Sequence, residues 1–291
     1  MPLWTLLIGP LVLGVPHVLA DIRYLVLDRP RRLSGRQLLA ILVPLAAAAM
    51  MAAAHPLMLV VPGILAIAGA IAFARVSLRA RVAALALLAA CAGPLCARSS
   101  LTLLWLAHAH NAVAVGLWLA LAFQRPNRRP LLLLAVAAVL LGVGVAIGAG
   151  AFDFVPRATG GWTRPAEGFT ATAVGETLAL PGLDPSRSLL LFAYAQAIHY
   201  AVWLRLIPGE RSASETPVPF RRGLSGLRAR LGTPAFAIAI VLALAVPLVG
   251  AVAPAETRRL YLELAGFHAW LELAVAAHLG LAWLGPRDPA A

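Results

Sequence analysis

The chain contains no lysine. All 24 of its basic residues are arginine, a composition consistent with a GC-rich genome. The absence has one firm consequence. A retinal Schiff base needs a lysine amine, so a retinylidene rhodopsin is excluded. Charge of either sign is scarce. Only 12% of the 291 residues are charged, against about 25% in soluble domains. There are two cysteines, Cys91 and Cys96, in one apolar run. They cannot pair along a regular helix and read as small packing residues rather than a disulfide framework. No Cys-x-x-Cys-His occurs, which excludes c-type haem attachment. The first apolar stretch also lacks the basic start of a secretory signal peptide.

What is abundant is apolar surface: 61% of residues are hydrophobic, and the mean hydropathy is +0.86. The formal charge of +12 could suggest nucleic acid. The arginines, however, sit in short loops between apolar runs, where membrane topology accounts for them, so no nucleic-acid partner is expected. A spanning helix needs roughly 20 apolar residues. On that measure the sequence predicts an all-α polytopic membrane protein with about nine transmembrane helices: 3–27, 38–55, 57–76, 82–97, 101–123, 131–150, 188–207, 235–254 and 260–284. The turn His55-Pro56 separates the second and third, since proline breaks a helix and restricts the residue before it.

Arginine-rich loops at 28–36, 75–81, 124–130 and 208–234 alternate with poorly charged or mixed connections. The positive-inside rule then places the amino terminus outside and the carboxyl terminus in the cytoplasm. Residues 1–291 read as a single integral-membrane domain, in a bacterial inner membrane. Segment 151–187 is long for a connector and is expected to be an outer loop, a lid or a re-entrant element. Segment 208–234 is a basic cytoplasmic loop. No internal repeat is evident, which weighs against an inverted-repeat transporter. The sequence leaves the oligomeric state open.

Histidines punctuate the apolar runs. His17, His108, His110, His199, His268 and His278 fall in the first, fifth, seventh and ninth segments. With the topology above, the rise of 1.5 Å per residue puts His17, His108, His199 and His268 at ~11–21 Å below the outer ends of their segments. Each has a polar companion about one turn away: His17 with Asp21, His108 with Asn111, His199 with Gln196, His268 with Glu272. Residues three or four apart share a helix face. Buried ionisable groups in a bilayer are costly and usually face an interior site. A metal accounts for the pattern: His17, His108, His110, His199 and His268 are the candidate ligands. Asp21, Asn111, Gln196 and Glu272 would orient them or hold a bound water. His108 and His110 are ~200° apart around a helix, so both cannot face one centre. A lone intramembrane histidine is often an interhelical hydrogen-bonding residue. His55 reads as a turn residue, and His278 is evenly balanced between structure and function. The tryptophans at 105, 118, 203, 270 and 283 read as packing or interface anchors.

The stretch "GVPHVLAD", residues 14–21, resembles the G-x-P-H-G-x-x-D signature in the first membrane helix of the Brp/Blh family. Members are integral-membrane enzymes that cleave β-carotene to retinal with iron and dioxygen. Gly14, Pro16, His17 and Asp21 match, and Val18 stands where the family usually has glycine. The family's late His-x-x-x-His pair is not reproduced after His199, where position 203 is Trp. Its His-Phe-Gly segment is replaced at best by "HAHN", 108–111. The resemblance implies a distant relative that binds iron (Fe2+) through membrane-helix histidines and acts on a lipid-soluble carotenoid or isoprenoid-like substrate. Two other classes remain open. Six intramembrane histidines could hold haem b in an electron-transfer protein. Asp21, Glu263, Glu272 and the histidines could instead form the polar path of a transporter.

Overall fold

The structure, a computed structural model, describes residues 2–28, 33–51, 55–123, 130–155, 170–208 and 220–284. Among the described residues every regular element is helical. Seven runs of these described residues are long and apolar enough to cross a bilayer: α1 (Leu3–Leu27), α4 (Leu78–Ala97), α5 (Ser99–Ala122), α6 (Pro130–Gly148), α8 (Pro185–Leu206), α10 (Thr233–Val252), and Pro254–Trp283. The last comprises α11 (Pro254–Ala265) and α12 (Phe267–Leu284). The expected second and third segments form apolar helices α2 (Gly35–Met51) and α3 (Leu57–Ala72), of 17 and 16 residues. The expectation for α3 ran four residues too far. Its backbone leaves helical geometry at Phe73, where φ is −100° and ψ is 7°.

Two shorter helices also lie among the described residues, α7 (Ala171–Leu178) and α9 (Phe220–Leu231). Local signals set several helix starts. The Ser77 hydroxyl accepts from Ala80 N ahead of α4, and Thr170 accepts from Ala173 N ahead of α7. The Asp184 carboxylate accepts from Ser186 N and Arg187 N, with Pro185 opening α8. Within the long segment 151–187, residues 156–169 lie outside the described residues. The remainder is not a structureless loop, because α7 packs against α8.

The contacts divide the chain into two compact units, Met1–Ala20 with Ala114–Leu262, and Asp21–Val113 with Glu263–Ala291. In the first unit, α8 packs against α6, α7 and the start of α1, and α10 packs against Gly9–Leu13. Glycines permit these approaches. A Cβ on Gly9 would lie 2.8 Å from the Tyr200 ring, one on Gly14 2.4 Å from the Tyr261 ring, and one on Gly250 2.8 Å from Leu11. A two-pronged ion pair joins Arg187 to Asp153, with Nε to Oδ1 at 2.9 Å and a terminal nitrogen to Oδ2 at 2.6 Å.

In the second unit, α3 packs against α2, α4 and α12. Gly69 lets α2 approach so closely that a Cβ there would sit 2.7 Å from the Ala40 carbonyl oxygen. The indole of Trp270 fills the dent at Gly63, where a Cβ would come within 2.1 Å of it. Inside this apolar packing, the Gln37 amide donates to the Ala70 carbonyl at 2.7 Å and to His278 Nδ1 at 2.8 Å. One side chain thereby ties α2, α3 and α12 together.

Candidate metal centre

Helix α1 is not uniform. Two π-helical stretches, Gly9–Leu13 and Ile22–Leu27, bracket the α-helical Gly14–Asp21. A third, Val202–Leu206, follows His199 and Tyr200 in α8. A π-turn takes an extra residue into the turn, which rotates the following side chains, and such turns are frequent at functional sites. All three here lie within four residues of a buried histidine or carboxylate.

Within the first unit, His17 and His199 are both buried and meet edge to face, with ring centroids 5.1 Å apart and planes at 78°. The Tyr200 ring stands 4.8 Å from that of His17. Trp203, fully buried, lies edge-on to His199 at 6.5 Å. Gln196, one turn before His199, is buried, and a Cβ on Gly9 would lie 3.6 Å from its Oε1.

The second unit holds the carboxylates. Asp21, His268 and Glu272 are all buried, and one ligand atom from each lies within 4.8 Å of the others. His268 and Glu272 share a face of α12 because they are four residues apart. Neither oxygen of Asp21 accepts a hydrogen bond among the described residues, although the residue is fully buried. Burying an uncompensated carboxylate costs several kcal/mol, and a cation between these groups would remove that cost.

Backbone carbonyls orient the neighbouring imidazoles. His268 Nδ1 donates to the Ala265 carbonyl, and His110 Nδ1 donates to the Leu106 carbonyl at 2.9 Å. Each ring therefore carries its lone pair on Nε2, the tautomer a metal ligand needs. The two rings meet edge-on, with centroids 5.3 Å apart.

The remaining candidates fall elsewhere. His108 is half-buried and ~200° around α5 from the buried His110. Neither is one of the three residues of the Asp21–His268–Glu272 group, and the His110 ring meets that of His268. Asn111 does not orient the His108 imidazole through its amide nitrogen, which donates within its own helix to the Ala107 carbonyl at 2.8 Å and weakly to that of His108. His55 is exposed, and its Nδ1 accepts from Leu57 N, a turn role. His278 accepts from Gln37 at Nδ1, so its proton is on Nε2 and the ring serves the helix tie. Sequence reasoning passed over Gln37 because the second segment was taken to begin at residue 38, and the arginine-rich stretch that ends at Arg36 hid the helix start. It also passed over Tyr200, while Trp203, read as a packing or interface anchor, is buried beside His199.

No protein-family model matches this chain, and no curated protein or solved structure is significantly similar to it.

Proposed function

We propose that the protein is a membrane-embedded non-haem iron enzyme, an oxygenase acting on a long hydrophobic substrate of carotenoid or isoprenoid type. The observation that carries this reading is Asp21, a fully buried carboxylate with no hydrogen bond to either oxygen among the described residues, grouped with Glu272 and His268. Two carboxylates and an imidazole, with His110 adjoining, form a hard oxygen and nitrogen donor set. Such sets suit iron(II) or manganese(II) better than soft thiophilic ions, and mixed His-carboxylate sets with open positions are typical of oxygen-activating iron. Asp21 and Glu272 would neutralise the ion, and the carbonyl-oriented His268 and His110 would present Nε2 to it. The ion would supply the site at which dioxygen is activated. His17 and His199 offer a second pair of imidazoles in their own unit. The "GVPHVLAD" resemblance supports the same reaction class.

Metal analysis together with an absorption spectrum of the purified protein tests the proposal. Stoichiometric iron, no Soret band, and oxygen-dependent cleavage of added β-carotene or a related polyene are expected. A Soret band would move the protein to the electron-transfer class, and ion flux in proteoliposomes without bound metal to the transporter class.

A further inference from the structure

Helix α9, "FRRGLSGLRARL", is unlike the rest of the chain. It carries four arginines and no acidic residue in 12 positions. At 1.5 Å per residue it is about 18 Å long, too short to cross a hydrocarbon core of ~30 Å. Leu224, Leu227 and Leu231 recur at i, i+3 and i+7 and form one half-buried stripe, while Ser225, Arg228, Ala229 and Arg230 are exposed. Its end is abrupt. Gly232 has φ 77° and ψ 163°, a left-handed conformation that glycine adopts without strain, and nothing occupies the space around it. The next residues, Thr233-Pro234, begin the 20-residue apolar span α10, against which α9 packs. The basic helix therefore stands at the mouth of a membrane span. Neither α9 nor α10 contains an acidic residue.

We infer that α9 is an interfacial helix that seats its leucine stripe at the bilayer surface and binds the headgroups of anionic phospholipids through Arg228 and Arg230. Charge complementarity selects this occupant. Surface helices of this pattern bury one apolar face at the headgroup boundary, and arginine stems reach along that boundary while their guanidinium groups meet phosphate. A solvated loop that only satisfied the positive-inside rule would need the charges but not the leucine stripe. The inference is independent of any metal in the helices.

The test uses the full chain reconstituted in phosphatidylcholine vesicles with and without a minority of phosphatidylglycerol. Trace spin-labelled phosphatidylglycerol or phosphatidylcholine reports the lipid fraction immobilised by the protein. The wild type is expected to immobilise the anionic label preferentially, and added salt is expected to weaken that preference. An Arg228→Gln, Arg230→Gln double variant is expected to lose roughly tenfold of the preference, while Arg79→Gln retains it. Equal immobilisation of the two labels by wild-type protein, or a preference unaffected by salt, would overturn the inference. So would a folded double variant that keeps the preference. If the double variant does not fold, the single variants Arg228→Gln and Arg230→Gln are each expected to lose part of the preference, and folded single variants that both keep it in full would overturn the inference.

Discussion

At the scale of single residues the proposed metal site turns on Asp21. Its carboxylate is fully buried, and among the described residues neither oxygen is hydrogen-bonded. If a cation balances it, Asp21→Asn acts in opposite directions on two measurements. Iron affinity is expected to fall by roughly 10–100-fold or more. After chelation, however, the variant is expected to unfold at a higher temperature than metal-free wild type, by the equivalent of about 1–3 kcal/mol, because an uncompensated buried charge has gone. A carboxylate that merely tied helices together would instead destabilise when replaced. A second comparison separates neighbours on α5. His110→Ala is expected to lower iron per chain, since its ring adjoins His268 and its Nδ1 is held by Leu106. His108→Ala is expected to leave iron unchanged, and equal losses in both variants would dissociate the metal from this face of the helix. The residues themselves were legible in the sequence, because polar side chains stand out in apolar runs. Their roles were not. Which nitrogen carries a proton, and whether an amide faces a partner or its own backbone, depend on carbonyls one turn away.

At the scale of elements, helix spacing assumed a regular 3.6-residue period, and the three π-turns break it. A sequence pattern gives no warning of an extra residue in a turn, so side-chain directions after Gly9, Ile22 and Val202 could not be derived from spacing alone. Close helix approaches were equally hidden, since a glycine in an apolar run does not announce which side chain it receives. Gly63 receives Trp270, two residues before Glu272. Gly63→Ala would drive a methyl into the indole and is expected to cost about 1–3 kcal/mol by overpacking. It should also reduce iron occupancy by displacing α12. Adding Trp270→Phe, which supplies a smaller ring, is expected to recover part of both losses in a double-mutant cycle, whereas simple additivity would mean the two residues do not press on each other. The Gln37 tie behaves differently. Gln37→Leu leaves a buried imidazole without its donor and is expected to lower stability by about 1–3 kcal/mol. Iron content should be unchanged, which distinguishes a helix tie from a ligand site on the same helix.

For the whole chain, apolar run length and arginine placement made the helical membrane class readable: away from its ends each predicted segment is helical over its described residues, and the ninth is interrupted at Gly266, between α11 and α12. The number of crossings is harder to read, because α2 and α3 have 17 and 16 residues. At 1.5 Å per residue they are ~26 and ~24 Å long, slightly less than a hydrocarbon core of ~30 Å. They could cross as two short spans with local bilayer thinning, or form a pair that enters and leaves on one face. Parity cannot separate these cases. Nine crossings and seven both place the chain ends on opposite sides, so reporter fusions at the two ends test only whether the number is odd. The turn between the helices does separate them. His55 is exposed, with Nδ1 accepting from Leu57 N, and in a nine-helix chain it reaches the face opposite the arginine-rich loops. In a pair that returns within the membrane it stays at depth. A His55→Cys variant with Cys91 and Cys96 replaced by alanine is therefore expected to react with a membrane-impermeant maleimide added to intact cells. A thiol that reacts only after detergent solubilisation would remove α2 and α3 from the count and leave seven crossings.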